Sequence, residues 1–183
     1  MAGTPRLDQS PEPLDDLWYP LATGPFITLS YVRGKVSAGD MGFVAASDIV
    51  LADETARFSL PEGLFGLLPA CVLPFPIRRV GFQGAHYLTL LTRSMNARQA
   101  LDWGLVVACV EQSETLLRKH LLRLSYMPKS GIARCKRFMH GLQDILSQAR
   151  YLSIEANREM FSDPRNLELI IHYIETGRFP WEA

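Results

Sequence analysis

The chain has 183 residues, of which 48% are hydrophobic and 21% are charged. These values are ordinary for a single globular domain that is long enough to bury a core. The 19 basic and 19 acidic residues cancel. This balance argues against nucleic acid or an anionic membrane as the partner of the whole chain.

The sequence gives no sign of a membrane or secretory segment. The polar, proline-rich residues 1–16 lack the apolar stretch of a signal peptide. The longest apolar run, residues 63–77, contains three prolines and is shorter than the ~20 residues that a membrane span needs. The odd set of cysteines, Cys71, Cys109 and Cys135, fits buried thiols in a reducing compartment. We therefore expect a cytoplasmic protein.

The first part of the chain alternates between strand and helix patterns. Residues 1–15 are predicted as a flexible lead-in, and an apolar patch at 17–21 fits the end of a helix. Residues 26–32 predict a strand, because β-branched and aromatic residues lie between glycine and proline breaks. Residues 37–47 predict a nearly all-apolar, buried helix with Ser37 as its N-cap.

Short strands and helices continue up to about residue 110. In chain order, the predicted elements are strands 48–52 and 56–60, a short helix from Pro74, helices 84–93 and 97–103, and strand 105–110. Asn96 is the predicted N-cap of the last of these helices, and Gly104 is its stop.

Beyond that point the pattern is helical only. The predicted helices are 113–125, 130–149, 154–161 and 166–176. An alternating part followed by helices predicts an α/β core with a helical extension. The predicted divisions are a lead-in at 1–15, a core at 16–111 and a C-terminal helical region at 112–183.

Residues 31–66 contain the groups that point to chemistry. A small-residue turn could let Gly39 offer its backbone N–H to an anionic oxygen, and Glu62 follows the next two strands. An oxyanion donor and a carboxylate are the minimum set for moving a proton next to a carbonyl. From the residues alone, Glu62 could equally be an exposed turn glutamate and Gly39 a glycine required by the turn.

This region also resembles a known family. The motifs VRGKVSAG, DI, FSLPEG and GLLP occur in the order found in the crotonase, or enoyl-CoA hydratase/isomerase, superfamily. The further motifs ACVLPF, IRRVG, MFSDP and YIETGRFPWE resemble its polyketide-biosynthesis branch, the bacillaene- and curacin-type dehydratases of β-branching cassettes. The likeness extends from about Pro13 to the C-terminus.

The resemblance implies a crotonase/ClpP-like ββα superhelix whose C-terminal helices form a homotrimer. It implies dehydration of a 3-hydroxy-3-methylglutaryl group to a 3-methylglutaconyl group. The substrate would be a thioester on the phosphopantetheine of an acyl carrier protein, which would be the partner. No metal or redox cofactor is implied. The family also has a longer N-terminal part, with a second oxyanion N–H, that finds no match here, and its lack would expose strand edges and slow catalysis.

Residue roles follow from the matching motifs. Glu62 would be the acid/base and Gly39 the oxyanion donor. The implied substrate contacts are Ala38, Leu60, Phe65, Arg78 and Lys35. Arg78 and Arg79, with Arg33 and Lys35, are candidates for the distal carboxylate or the phosphopantetheine phosphate, because cationic side chains pair with both groups. From the residues alone, a solvated surface charge is the more common role for any one of them.

The sequence departs from the family pattern at two positions. Gly42 stands where two-glutamate hydratases have their first catalytic glutamate, so water activation by a glutamate pair is not expected. Asp40 stands where relatives usually have glycine, and we expect its side chain to point to solvent. The four histidines lack metal-ligand spacing and are interpreted as structural or surface residues; they are His86, His120, His140 and His172.

Two alternatives remain open at this stage. The first is a shortened, inactive homologue that binds a carrier protein or assembles with full-length subunits. The second stays within the fold and is a 3-methylglutaconyl decarboxylase or an enoyl-CoA isomerase.

Overall fold

The computed structural model describes residues 12–109 and 113–182. Within them, short strands and helices alternate first and helices alone follow, as predicted. The helices are α1 (Glu12–Thr23), α2 (Asp40–Ala46), α3 (Pro74–Leu91), α4 (Ala97–Asp102), α5 (Ser113–Ser125), α6 (Lys129–Leu142), α7 (Ile145–Ser162) and α8 (Pro164–Thr176). Two 3-10 turns cover Glu62–Phe65 and Pro180–Glu182. None of the described helices is both long and apolar enough to cross a bilayer.

Six strands form two three-stranded sheets in the described part of the chain. They are β1 (Leu29–Val32), β2 (Lys35–Ser37), β3 (Ile49–Ala52), β4 (Arg57–Ser59), β5 (Met95–Asn96) and β6 (Ala108–Cys109). In one sheet β3 lies between β1 and β6, and both pairings are parallel. In the other, β4 pairs parallel with β2 and antiparallel with β5. Parallel pairing requires a crossover, and α2 lies in the connections from β1 to β3 and from β2 to β4.

Strand β2 was not predicted, and it changes the assignment of Ser37. Residues 35–37 pair in register with 57–59, and the Ser37 hydroxyl lies 3.1 Å from the Ser59 hydroxyl. Ser37 therefore ends a strand, and the prediction that it caps α2 is wrong. Gly39 is the N-cap instead. A three-residue strand is too short to show a period, and only its partner β4 reveals it.

The core forms where α1, α2 and the sheets meet. Trp18 and Phe58 are almost completely buried, and Trp18 makes edge-on contacts with Phe43 and Phe75, each with ring centroids 5.9 Å apart. Helix α2 is mostly buried, as expected, although the Phe43 side chain is 40% exposed. The exposed Asp40 side chain agrees with the expectation that it points to solvent.

The N-terminal helix corrects the predicted lead-in. Residues 1–11 lie outside the described part, but 12–15 belong to α1, so a helix begins within the predicted lead-in. Asp15 is 5% exposed, and its Oδ2 accepts a 2.6 Å hydrogen bond from Nε of Arg150. Arg150 also pairs with Asp16. This contact joins residues more than 130 positions apart, so no local pattern could predict it.

The boundaries of several helices differ from the prediction. Helix α3 merges two predicted helices across Gly81, whose φ of +73° produces a kink. The predicted helix 130–149 breaks at Gln143, and α7 continues to Ser162 through the predicted gap before 154. The break allows α7 to bury Leu146 in the core. The predicted strand 105–110 shortens to β6; Val110 lies outside the described residues.

The cap of α4 gives a stability prediction. Asn96 Oδ1 accepts a 2.9 Å hydrogen bond from the Gln99 N–H, and Gln99 Oε1 accepts a 3.1 Å bond from the Asn96 N–H. Asn96→Ala is expected to lower the free energy of unfolding by ~1 kcal/mol, because it removes the side-chain acceptor of the Gln99 N–H, whereas the backbone N–H that bonds to Gln99 Oε1 is kept. Urea unfolding measures the change. Asn96→Asp keeps an acceptor and should be close to wild type; equal losses for both variants would contradict the capping role.

Candidate active site

Glu62 lies in a cavity of about 500 Å³. The cavity is bounded by α1, the Ala38–Gly39 turn, the first 3-10 turn and helices α7 and α8. Its walls are largely apolar, and no lysine, arginine or histidine is among the described residues that line it. An apolar cavity with a few polar groups is the usual form of a small-molecule site.

The Glu62 carboxyl is held in a poorly solvated position. Glu62 opens the 3-10 turn, and Gly66, at φ +72°, closes it by donating its N–H to the Glu62 and Gly63 carbonyls. Oε2 of Glu62 is buried and has no hydrogen-bond partner in the described part of the chain. Burial raises the pKa of Glu62 from 4.5 to about 7. Near neutral pH, this carboxyl can therefore both take up and return a proton.

Gly39 places an unused N–H on the same cavity. The preceding Ala38 has a left-handed φ of +53°, and its own N–H is bonded to the Ser59 carbonyl at 3.1 Å. No described acceptor takes the Gly39 N–H, which precedes the first turn of α2. Helix starts leave such donors free. A strained, non-glycine backbone beside a free donor is typical of functional sites.

The predicted site residues divide into two groups. Ala38, Gly39, Glu62 and Phe65 line the cavity together. Leu60, Lys35 and Arg78 do not line it, so the structure does not support their implied substrate contacts. Leu60 is 0% exposed within the core, and Lys35 is on the surface of β2.

Comparison with known proteins identifies the family. The enoyl-CoA hydratase/isomerase family model matches residues 3–183. The chain belongs to this family. It is 57% identical over 173 residues to the bacillaene synthase dehydratase PksH of Bacillus subtilis, covering 94% of this chain and 67% of PksH. It is also 38% identical over 89 residues to the mevalonyl-coenzyme A hydratase sidH of Aspergillus fumigatus, covering 48% of this chain and 33% of that protein.

Solved structures confirm the crotonase fold. The structure of B. subtilis PksH, described as a polyketide biosynthesis enoyl-CoA hydratase, superposes with a TM-score of 0.90 and covers 93% of this chain and 68% of PksH. An enoyl-CoA hydratase structure from Mycobacterium avium paratuberculosis matches with a TM-score of 0.83 at 21% identity, which supports the fold alone. The predicted fold class and the hydratase-type enzyme family are both confirmed.

In this crotonase-family chain, Arg78 points away from the Glu62 cavity. Its Nη2 donates to the carbonyls of Ala45 and Ala46 at 3.4 and 3.3 Å, at the C-terminal end of α2. Nε of Arg79 donates to Ala45 at 3.4 Å, and burial followed by the charge of Arg78 lowers the pKa of Arg79 to about 10. Both arginines line a separate cavity of about 390 Å³. The sequence shows adjacent cations but not the helix end that they face.

Packing explains why this crotonase-family chain has glycine at position 42. A Cβ on Gly42 would lie 2.4 Å from Cε2 of Trp18, which is closer than real Cβ contacts come. Trp18 is 1% exposed and lines the Glu62 cavity. Trp18 was not among the predicted site residues, because the apolar patch at 17–21 indicates only the end of a helix. Asn157 and Tyr173, which reach the cavity from α7 and α8, were not predicted either.

Adding a methyl group at position 42 should therefore be unfavourable. Gly42→Ala is expected to lower the free energy of unfolding by about 1–3 kcal/mol, because it overpacks the Trp18 contact. Urea unfolding gives the value. Gly141→Ala is the matched control, since it also lies in a helix and nothing surrounds its added Cβ within 4 Å. The control should be as stable as wild type or more so; the same loss at both positions would contradict the packing explanation.

The described residues do not include a metal-type cluster. No group of three or more histidine, cysteine, aspartate or glutamate side chains could hold an ion there. Nε2 of His140 lies 3.4 Å from the Tyr19 hydroxyl and 3.2 Å from Oδ1 of Asp144. The His140 ring is thus held by side chains of α1 and of the start of α7.

Proposed function

We propose that this chain dehydrates a 3-hydroxy-3-methylglutaryl group, held as a thioester on an acyl carrier protein, to a 3-methylglutaconyl group. The observation that carries the proposal is the Glu62 carboxyl, with a pKa of about 7, in the same cavity as the unused Gly39 N–H. The 57% identity to a bacillaene synthase dehydratase supports dehydration in polyketide biosynthesis as the reaction class.

The reaction would need one carboxyl group acting twice. Ionised Glu62 takes the proton from the carbon next to the thioester carbonyl, and the Gly39 N–H stabilises the negative charge on the carbonyl oxygen. The electron pair then forms the carbon–carbon double bond while the bond to the hydroxyl breaks. Protonated Glu62 returns its proton to the departing hydroxide, which leaves as water. No second carboxylate is required.

A tertiary alcohol as substrate has independent support. The Aspergillus relative is named for mevalonyl-coenzyme A, and a mevalonyl group is also a 3-hydroxy-3-methyl acyl group. It differs from 3-hydroxy-3-methylglutaryl in having a terminal alcohol in place of the carboxylate. The largely apolar cavity wall around Phe65 and Leu67 could accept the methyl branch.

We also propose an oligomeric state and a cellular location for this chain. The carrier protein would present the substrate on phosphopantetheine, in the cytoplasm, without a metal or redox cofactor. A homotrimer would bury apolar side chains that the C-terminal helical region exposes. Phe138, Leu142 and Ile174 retain 67%, 66% and 73% exposure, and such patches favour association.

One experiment tests the reaction against its alternatives. The purified protein is incubated with 3-hydroxy-3-methylglutaryl-carrier protein, and the carrier is followed by intact mass. Loss of one water supports dehydration. In a parallel incubation with 3-methylglutaconyl-carrier protein, loss of carbon dioxide, without loss of water from the hydroxylated substrate, would assign the decarboxylase. If both carriers are unchanged in the presence of folded protein, the proposal is overturned in favour of an inactive homologue.

A further inference from the structure

The turn that carries Glu62 has an aromatic anchor at its other end. In a 3-10 turn, side chains three residues apart lie on the same side. Phe65 therefore stands on the side of Glu62, and both residues line the same cavity. The Phe65 ring makes an edge contact with Tyr173 of α8, at a centroid distance of 5.2 Å, and a tilted contact with Phe179, at 6.1 Å. Both distances lie in the favourable range for ring pairs, about 4.5–7 Å.

Phe179 is itself fixed by neighbours in the segment that follows α8. Its N–H donates a 2.8 Å hydrogen bond to Oε2 of Glu182. Its ring lies 4.9 Å from that of Tyr173 and stacks on Trp181, with centroids 4.8 Å apart and planes at 4°. Phe179 is not among the described residues that line the cavity. Its contact with the candidate site therefore passes through Phe65.

The position of the Glu62 carboxyl depends on this packing. Oε2 has no hydrogen-bond partner in the described part of the chain. The carboxyl is thus held by the backbone of its four-residue turn and by the side chains around that turn. Gly66, which closes the turn, also lies against α8, since a Cβ on Gly66 would be 2.5 Å from Oδ1 of Asn166. The C-terminal region therefore holds the turn both at Phe65 and at Gly66.

We propose that Phe179 is a positioning residue, which holds Phe65 and the Glu62 turn in the geometry needed for proton transfer. The inference rests on the proposed function. Proton transfer depends steeply on position, and a misplacement of about 1 Å can cost about 10²-fold in rate. Loss of the Phe179 ring would remove one of the two aromatic neighbours that fix Phe65, and the looser turn would admit water to the carboxyl.

The kinetic test compares two phenylalanine deletions. Phe179→Ala should lower kcat for dehydration of the carrier-bound substrate by about 10- to 100-fold, and should change KM by less than threefold because Phe179 does not line the cavity. Phe179→Tyr keeps a ring and should restore kcat to within threefold of wild type. Phe82→Ala is the matched control. It removes a ring that is 62% exposed on α3, against His86, and should leave kcat unchanged. Equal losses in both alanine variants would overturn the inference.

Carboxyl NMR measures the same effect without turnover. Protein labelled with ¹³C at its glutamate carboxyls is titrated with acid and base, and Glu62→Gln assigns the signal. The titratable side chains among the described lining residues are Glu62, Cys71 and Tyr173. The wild-type midpoint of Glu62 should lie near 7, because burial raises its pKa. Phe179→Ala should lower that midpoint toward 4.5, because water reaches the carboxyl, whereas Phe82→Ala should not move it.

The two readouts separate this inference from the proposed function. An unshifted Glu62 midpoint in Phe179→Ala overturns the role of Phe179, whatever the rate, and leaves the dehydratase proposal standing. If the wild-type protein leaves the carrier unchanged, the proposed function is overturned, and a lowered midpoint still supports the hold of Phe179 on Glu62. If Phe179→Ala fails to fold, Phe179→Leu, which removes the ring but keeps an apolar side chain, replaces it in both measurements with the same expected results.

Discussion

Replacing Glu62 with glutamine is expected to lower the rate of dehydration by about 10²–10⁴-fold, the usual contribution of a general acid–base group. The amide is close to the carboxylate in shape, but it can neither take the proton next to the thioester nor return one to the leaving hydroxyl. Initial rates from intact-mass analysis of 3-hydroxy-3-methylglutaryl-carrier protein measure the effect. The wild-type rate should also fall as the pH drops below about 7, because the pKa of Glu62 is raised to that value by burial.

Glu168→Gln is the matched control for this prediction. Glu168 is an exposed residue of α8 and does not line the cavity, so its replacement should leave the rate unchanged. A Glu62→Gln variant that keeps more than a tenth of the wild-type rate would contradict the assignment of Glu62 as the acid/base.

The same burial of Glu62 should make the protein less stable as the pH rises. In the unfolded chain the pKa of this carboxyl returns to 4.5, whereas in the folded protein it is about 7. The folded state therefore holds the proton more tightly. Its contribution to stability is fully present below pH 4.5 and is lost as the pH rises through 7. The difference corresponds to at most about 3 kcal/mol of unfolding free energy.

Comparison with Glu62→Gln isolates this effect from other titrating groups. Urea unfolding of both proteins at pH 5 and pH 8 gives two differences in the free energy of unfolding. We expect the variant to gain stability relative to wild type at pH 8 and to gain much less at pH 5. A difference that does not depend on pH would show that the Glu62 carboxyl is not held in a poorly solvated position.

Part of the candidate site's lining could be predicted from the sequence. The turn before α2 and the FSLPEG motif identified Gly39 and Glu62, and the structure brings both to one cavity with Ala38 and Phe65. The α/β core with a helical extension was also predicted correctly, because short strands alternate with helices before a purely helical part, and the family resemblance supplied the crotonase fold class. These features depend on local backbone preferences and on motifs that lie within a few dozen residues of one another.

The structure does not support the cation proposed for the substrate carboxylate. Arg78 has the right chemistry for a carboxylate, but it donates to carbonyls at the end of α2, more than 30 residues earlier in the chain. A side chain can bond to any acceptor that the fold brings within reach. The residues that are nearest in the sequence do not reveal which acceptors those are.

The chain's sequence alone determined which residues form the Ala38–Gly39 turn and which glutamate follows it. Only the tertiary structure decided the properties of those groups. It placed Trp18 against Gly42, left Oε2 of Glu62 without a hydrogen-bond partner among the described residues and raised the pKa of Glu62 to about 7. The physical reason is desolvation, which depends on the atoms that surround a group. For Glu62 and Trp18, those atoms come from α1, α2, α7 and α8, segments that lie far apart in the chain.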